Sequence, residues 1–152
     1  MSSCGEIIIR DIERYHFHRR DGDLVATPYI DLEQLKKTKV SFSKIKNCVI
    51  KDEDDEIIST NSNYRGILFD IYREVYGRFL NQQLYAHTTY NMKFTNEYGN
   101  DGYKWNEDVC MSIQNKDANG ALKDIINMVT INNLSIDISI QLKNGNSIYF
   151  KK

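Results

Sequence analysis

A chain of 152 residues, 41% hydrophobic and 27% charged, has the composition of one ordinary globular domain and needs no disulfides to hold a core. A net charge of −1 and a pI near 6.3 exclude a general nucleic-acid binder, which needs a basic face to displace counterions from phosphates, and leave only a local basic patch open. No apolar run reaches the roughly 20 residues that cross a bilayer, and MSSCGEIIIRDIER has neither the basic start nor the apolar stretch of a secretory signal.

The cysteines, Cys4, Cys48 and Cys110, are odd in number and widely spaced, with no CxxC pair. That usage fits reduced thiols in a cytoplasmic protein. Abundant Ile and Asn, with Lys exceeding Arg, are the bias of an AT-rich genome, bacterial or phage. There is one proline, Pro28, and no linker, repeat or low-complexity tract, so residues 1–152 read as a single domain.

Residues 6–19 read as extended. Ile7, Ile8 and Ile9 are β-branched, and Tyr15 and Phe17 alternate with His16 and His18. Asp21-Gly22 predicts a tight turn, because glycine tolerates positive φ. The returning strand, 24–30, holds Pro28, which cannot donate to a ladder and so places this strand at an edge. Asp31 to Lys37 reads as a short helical turn. Asn47–Lys51 and Glu56–Thr60 flank the acidic run Asp52–Asp55 as a second hairpin.

A helix over about 62–84 is the plainest element before the C-terminus. Tyr64, Ile67, Leu68, Ile71, Tyr72, Val75, Tyr76, Phe79 and Leu80 fall on one stripe at spacings of three and four. Asn61 or Ser62 is the expected cap, and Glu74 with Arg78 the expected i,i+4 pair. Gly66 and Gly77 weaken it by up to about 1 kcal/mol each. Residues 85–95 and 103–114 read as strands joined by NEYGNDG. A second helix runs over 118–131, with Ala118, Ala121, Leu122, Ile125, Ile126 and Val129 as its buried stripe.

The last strand alternates strictly from Leu134 to Lys143, then turns at Asn144-Gly145. A three-residue loop with Gly145 left-handed pairs Ile140 with Ile148 and Ile138 with Phe150, all on the apolar face. A two-residue loop flips Ile148 and Phe150 to the polar side. The fold class is therefore α+β: an antiparallel-rich sheet built from hairpins, with two helices packed on one face.

The chemical constellations stay incomplete. His16 and His18 point the same way from a strand and form two ligands of a metal site whose third would be Asp21, Asp23 or His87. HxHxDH fails, because Asp21 is one place late. Their expected place is the solvent face, opposite Tyr15 and Phe17. Arg19 and Arg20 offer a phosphate contact, but an exposed basic hairpin tip is the plainer outcome. His87-Thr88-Thr89 has the HxT spacing of two-histidine phosphoesterases, without the second copy they require. Counting from Asp52, the acidic run has Ile57 where a calcium loop needs glycine. No Walker loop, GxGxxG or GxSxG occurs. Cys48 and Cys110 sit in apolar stretches, where free thiols fill cores. No catalytic set, cofactor or metal is expected.

The remaining feature interleaves aromatics with acids. Tyr98, Tyr103 and Trp105 accompany Asp101, Glu107 and Asp108, and Asp54 and Asp55 add acidic charge elsewhere. Tyr and Trp anchor interfaces, and acids steer a cationic partner. The leading expectation is a non-catalytic protein-binding domain, a small inhibitor or immunity-type protein blocking a basic toxin or nuclease, with no membrane or nucleic-acid partner. The alternatives are a phosphate-directed or metal-dependent hydrolase using His16, His18 and His87, and a homo-oligomeric structural subunit such as a homodimer.

Overall fold

The register of the last hairpin decides where the core lies. β8 (Ser135–Gln141) pairs with β9 (Ser147–Lys151) with Ile140 opposite Ile148 and Ile138 opposite Phe150. Gly145 sits at φ 90°, and Leu142 N–H donates to Asn146 O at 2.7 Å, as the three-residue loop requires. Ile136, Ile138, Ile140 and Phe150 thus share one face and are all buried. β3 (Lys44–Lys51) pairs antiparallel on the other side of β8, aligning Ile50, Cys48 and Ile45 with those three isoleucines. A register shift between Ile45 and Asn47 keeps Ile45 on the apolar face.

The computed structural model describes residues 14–76, 92–93, 96, 101–107, 109, 111–115 and 117–152. Its first element is the hairpin of β1 (Tyr15–Arg20) and β2 (Asp23–Pro28), closed by Asp21 and Gly22 at φ 51° and 85°. Both positive φ values match the right-handed twist of a two-residue hairpin. The short helix α1 (Leu32–Lys37) starts from a capping box in which Asp31 and Gln34 bond reciprocally. β4 (Ile57–Ser59) follows the acidic turn and completes a four-stranded sheet in the order β4-β3-β8-β9.

Helix α2 (Tyr64–Ile71) passes into a π-helical turn (Tyr72–Tyr76). Its cap is Asn63, whose side chain accepts from Gly66 N–H at 3.0 Å, one or two places later than the sequence suggests. Ile67, Leu68, Ile71 and Tyr72 are buried as the stripe predicts, and Phe69, off the stripe, is buried too. Glu74 accepts from its neighbour Arg73; Arg78, its expected partner, lies outside the described residues, as do Phe79 and Leu80.

Residues 103–114 are not one strand. β6 (Tyr103–Asn106) and β7 (Met111–Gln114) form a hairpin of their own, and β5 (Met92–Lys93) pairs with β7 on its other edge. Asn106 Oδ1 accepts from Val109 N–H at 3.4 Å within the turn, where an uninterrupted strand would have kept it in the ladder.

Helix α3 (Ala118–Ile131) occupies the predicted span, capped by the Asp117 carboxylate on Gly120 N–H. α2 and α3 pack on one another, and one hydrophobic cluster joins both to the apolar sheet face and to Ile113 of β7. The fold class is α+β with antiparallel sheets. Among the described residues no helix is long and apolar enough to cross a membrane.

Candidate functional site

Strand alternation gives the four-stranded sheet a second face, opposite the core, carrying Asp137, Ser139 and Tyr149. The β1–β2 hairpin covers it. The backbone joins hairpin to sheet where Ile30 N–H donates to Tyr149 O at 2.8 Å. The His16 ring stacks on Tyr149, centroids 4.1 Å apart and planes 13° from parallel. His18 stacks beside it at 5.5 Å, and its Nε2 lies 2.8 Å from Thr27 Oγ1. Tyr29 meets the His16 edge at 6.1 Å and its hydroxyl donates to Asp137 at 3.4 Å.

This corrects the expected orientation. The histidines face the sheet and are half-buried, while Phe17 is 45% exposed. Burial holds the His16 imidazole below its usual range, partly opposed by Asp137 and reinforced by His18. Arg19 donates to Gly22 O at 3.3 Å and so braces its own turn. Asp21 and Asp23 are exposed. Among the described residues no three His, Cys, Asp or Glu side chains gather at metal distance. His87 lies outside the described residues.

The aromatic–acidic segment is brought together in part. Tyr98 and Asp108 lie outside the described residues. Asp101, at φ 49°, and Gly102, at φ 79°, form the turn leading into β6. Tyr103 and Trp105 are half-buried on β6, while Asp101 and Glu107 are exposed just before and after the strand. The turn is held from two sides: Gln114 Nε2 donates to Asp101 O at 2.8 Å, and Arg65 of α2 donates to Gly102 O at 2.9 Å. Lys104 is exposed between the two aromatics and dilutes the acidic charge there.

Asp54 and Asp55 belong to the other sheet. Asp52 shapes their turn, its Oδ1 accepting from Asp54 N–H and Glu56 N–H, both at 2.9 Å. Lys51 lies 3.5 Å from the Asp55 carboxylate. These two acids are exposed in the turn between β3 and β4.

Two features escaped the sequence reading. Arg65 falls off the apolar stripe of the helix and has no assigned partner in the sequence, yet it ties α2 to the β6–β7 hairpin. Lys36, Lys37, Lys39 and Lys123 drew no reading from the sequence, yet they line a common groove. The KKTK run is visible, but only topology brings Lys123 beside it. Compared with family models, with curated proteins and with solved structures, the chain matches none.

Proposed function

We propose that the chain is a non-catalytic protein-binding domain of the inhibitor or immunity class, which masks a basic partner such as a toxin or nuclease. One observation carries this reading: Tyr103 and Trp105 sit half-buried on a strand whose turn is braced to α2 by Arg65. Aromatic area held rigid before docking loses little conformational entropy on binding. Asp101 and Glu107, exposed on either side of the strand, supply the charge that steers a cationic surface.

The test is capture from a lysate of the source organism, with mass spectrometry, followed by binding of the purified partner. A basic protein should be captured by the wild type and lost with Trp105→Ala and with Asp101→Lys/Glu107→Lys, while each variant melts within a few degrees of the wild type. Capture that survives both variants would sink the proposal.

The reading as a homo-oligomeric subunit has one observation in its favour. The outer face of the β1–β2 hairpin presents Phe17 and Leu24, the latter 61% exposed. Light scattering on the purified chain addresses it: a dimeric mass abolished by Phe17→Ser/Leu24→Ser would favour this reading, and a monomeric mass would remove it. The hydrolase reading gains no such support, since Tyr149 stacks on His16 and Thr27 bonds His18.

A further inference from the structure

A groove of about 820 Å³ runs between α1, the loop that follows it and the first three turns of α3. Its base is apolar, with Leu35, Val40, Leu122 and Ile126 all buried or nearly so and Leu32 half-buried at the edge. Its rim is basic: Lys36, Lys37, Lys39 and Lys123 all line it and are all exposed. Among the described residues none of the four enters an ion pair.

The walls are fixed. Asn119 Oδ1 accepts from Val40 N–H at 2.8 Å and its Nδ2 donates to Ser41 Oγ at 2.6 Å, clamping the loop to α3. Thr38 Oγ1 donates to Gln34 O at 2.7 Å. Asp117, also at the groove, is engaged as the α3 cap. Thr38, Asn119 and Asp117 are thus engaged in internal bonds, and the four ammonium groups, with the exposed Asn127, remain to meet a ligand.

We propose that this groove is a docking site for an acidic amphipathic helix of a partner protein. An apolar floor asks for an apolar stripe, and a ring of ammonium groups asks for carboxylates flanking that stripe. Long lysine stems can lie along apolar surface while their charges reach such carboxylates. A single strand of nucleic acid is a poorer match: among the described residues no aromatic side chain lines the groove for bases to stack on. A tight phosphate site is also disfavoured, because the Asp117 carboxylate already caps α3 and, among the described residues, no arginine lines the groove. This surface is separate from β6, and the proposal does not depend on the basic-partner reading.

The experiment uses fluorescence anisotropy with the full chain and a panel of labelled helical peptides about 15 residues long, each with leucines at i, i+3, i+4 and i+7 flanked by glutamates. Matched peptides with lysine in place of glutamate, oleate, and a single-stranded DNA of about 20 nucleotides are the other arms. The acidic peptides should bind and the lysine peptides should not. The double variant Lys37→Glu/Lys123→Glu should weaken acidic-peptide binding roughly tenfold or more at about 0.1 M salt, with an unchanged melting temperature. Trp105→Ala should leave peptide binding intact. Failure of every acidic peptide, binding indifferent to charge reversal, or preferential binding of DNA or oleate would each overturn the assignment.

Discussion

His16 lies flat on Tyr149, ring on ring at 4.1 Å, and that stack seats the β1–β2 hairpin on the sheet's second face. Tyr149 is 8% exposed in consequence. The His16 imidazole is favoured in its neutral form, because burial outweighs the pull of Asp137. In the unfolded chain it takes a proton near its ordinary 6.5; folded, it does so only at lower pH. The unfolded state therefore binds more protons in the window just below 6.5, and stability falls there as the solution is acidified. The loss is complete once pH drops beneath the lowered value, and it is absent above the ordinary one. Melting curves between pH 8 and pH 5 should show a steeper decline for the wild type than for His16→Phe, which keeps a ring on Tyr149 and cannot be protonated. His16→Ala, silent if the ring faced solvent, should instead cost about 0.5–1.5 kcal/mol, the range for aromatic pairs. Parallel pH profiles for wild type and His16→Phe would refute the coupling.

Ile71 is fully buried at the end of α2, where the α-helix passes into its π-helical turn. Truncation to alanine leaves a cavity the packed helices cannot close easily. Ile71→Ala should cost about 2–5 kcal/mol in urea unfolding, as buried large-to-small changes do. A loss below about 1 kcal/mol would mean that this end of the helix repacks freely.

Cys48 faces the core opposite Ile138 and is 1% exposed. Burial, then the charges of Asp137 and Asp70, push its thiol up to about 12. A thiol that stays protonated and shielded does not attack disulfide reagents. In a chain whose other two cysteines are serine, it should react with a chromogenic disulfide at pH 8 only when denatured. The same shift makes an alkaline prediction. The unfolded thiol ionises near 9 and the folded one does not, so this group's contribution to stability declines as pH rises between those values. Stoichiometric labelling of the native chain at pH 8 would contradict both.

What the sequence disclosed follows from where local chemistry was decisive. The α3 span was legible because Asp117 caps it and its apolar stripe is unbroken. The β8–β9 register was legible because only a left-handed Gly145 puts Ile148 and Phe150 on the same side as Ile138 and Ile140. The hairpin's orientation was not. Alternation separates Phe17 from His16 but cannot say which side meets another sheet. The surface it meets is amphipathic, with a tyrosine ring and a carboxylate, so flat polar imidazoles fit there while the phenylalanine faces water. The lysine groove was hidden for a different reason: Lys37 and Lys123 are far apart in the chain, and no periodicity relates them. The β6–β7 break was legible and passed over: Asn106, Glu107 and Asp108 are residue types depleted from strands, and Asn and Asp favour turns, but the apolar residues on both sides masked the interruption.

Ser139 sits on the same covered face as Tyr149, directly opposite it in the ladder and 5% exposed. Its hydroxyl has no hydrogen-bond partner among the described residues. A polar group taken out of water without a partner costs about 1–3 kcal/mol, whereas an alanine there leaves nothing to satisfy. The removed oxygen is small, so the opposing cavity penalty is small as well. Ser139→Ala should therefore be neutral or stabilising by up to about 1 kcal/mol, which is unusual for a buried truncation. Ser139→Val tests space rather than polarity: its two methyls must fit between Asn47 and Tyr149 in adjacent strands. Raised stability for alanine with lowered stability for valine would identify a tight, dry seam between hairpin and sheet. A clear loss for alanine would instead reveal a bond made by the hydroxyl, and with it a wetter or differently seated hairpin.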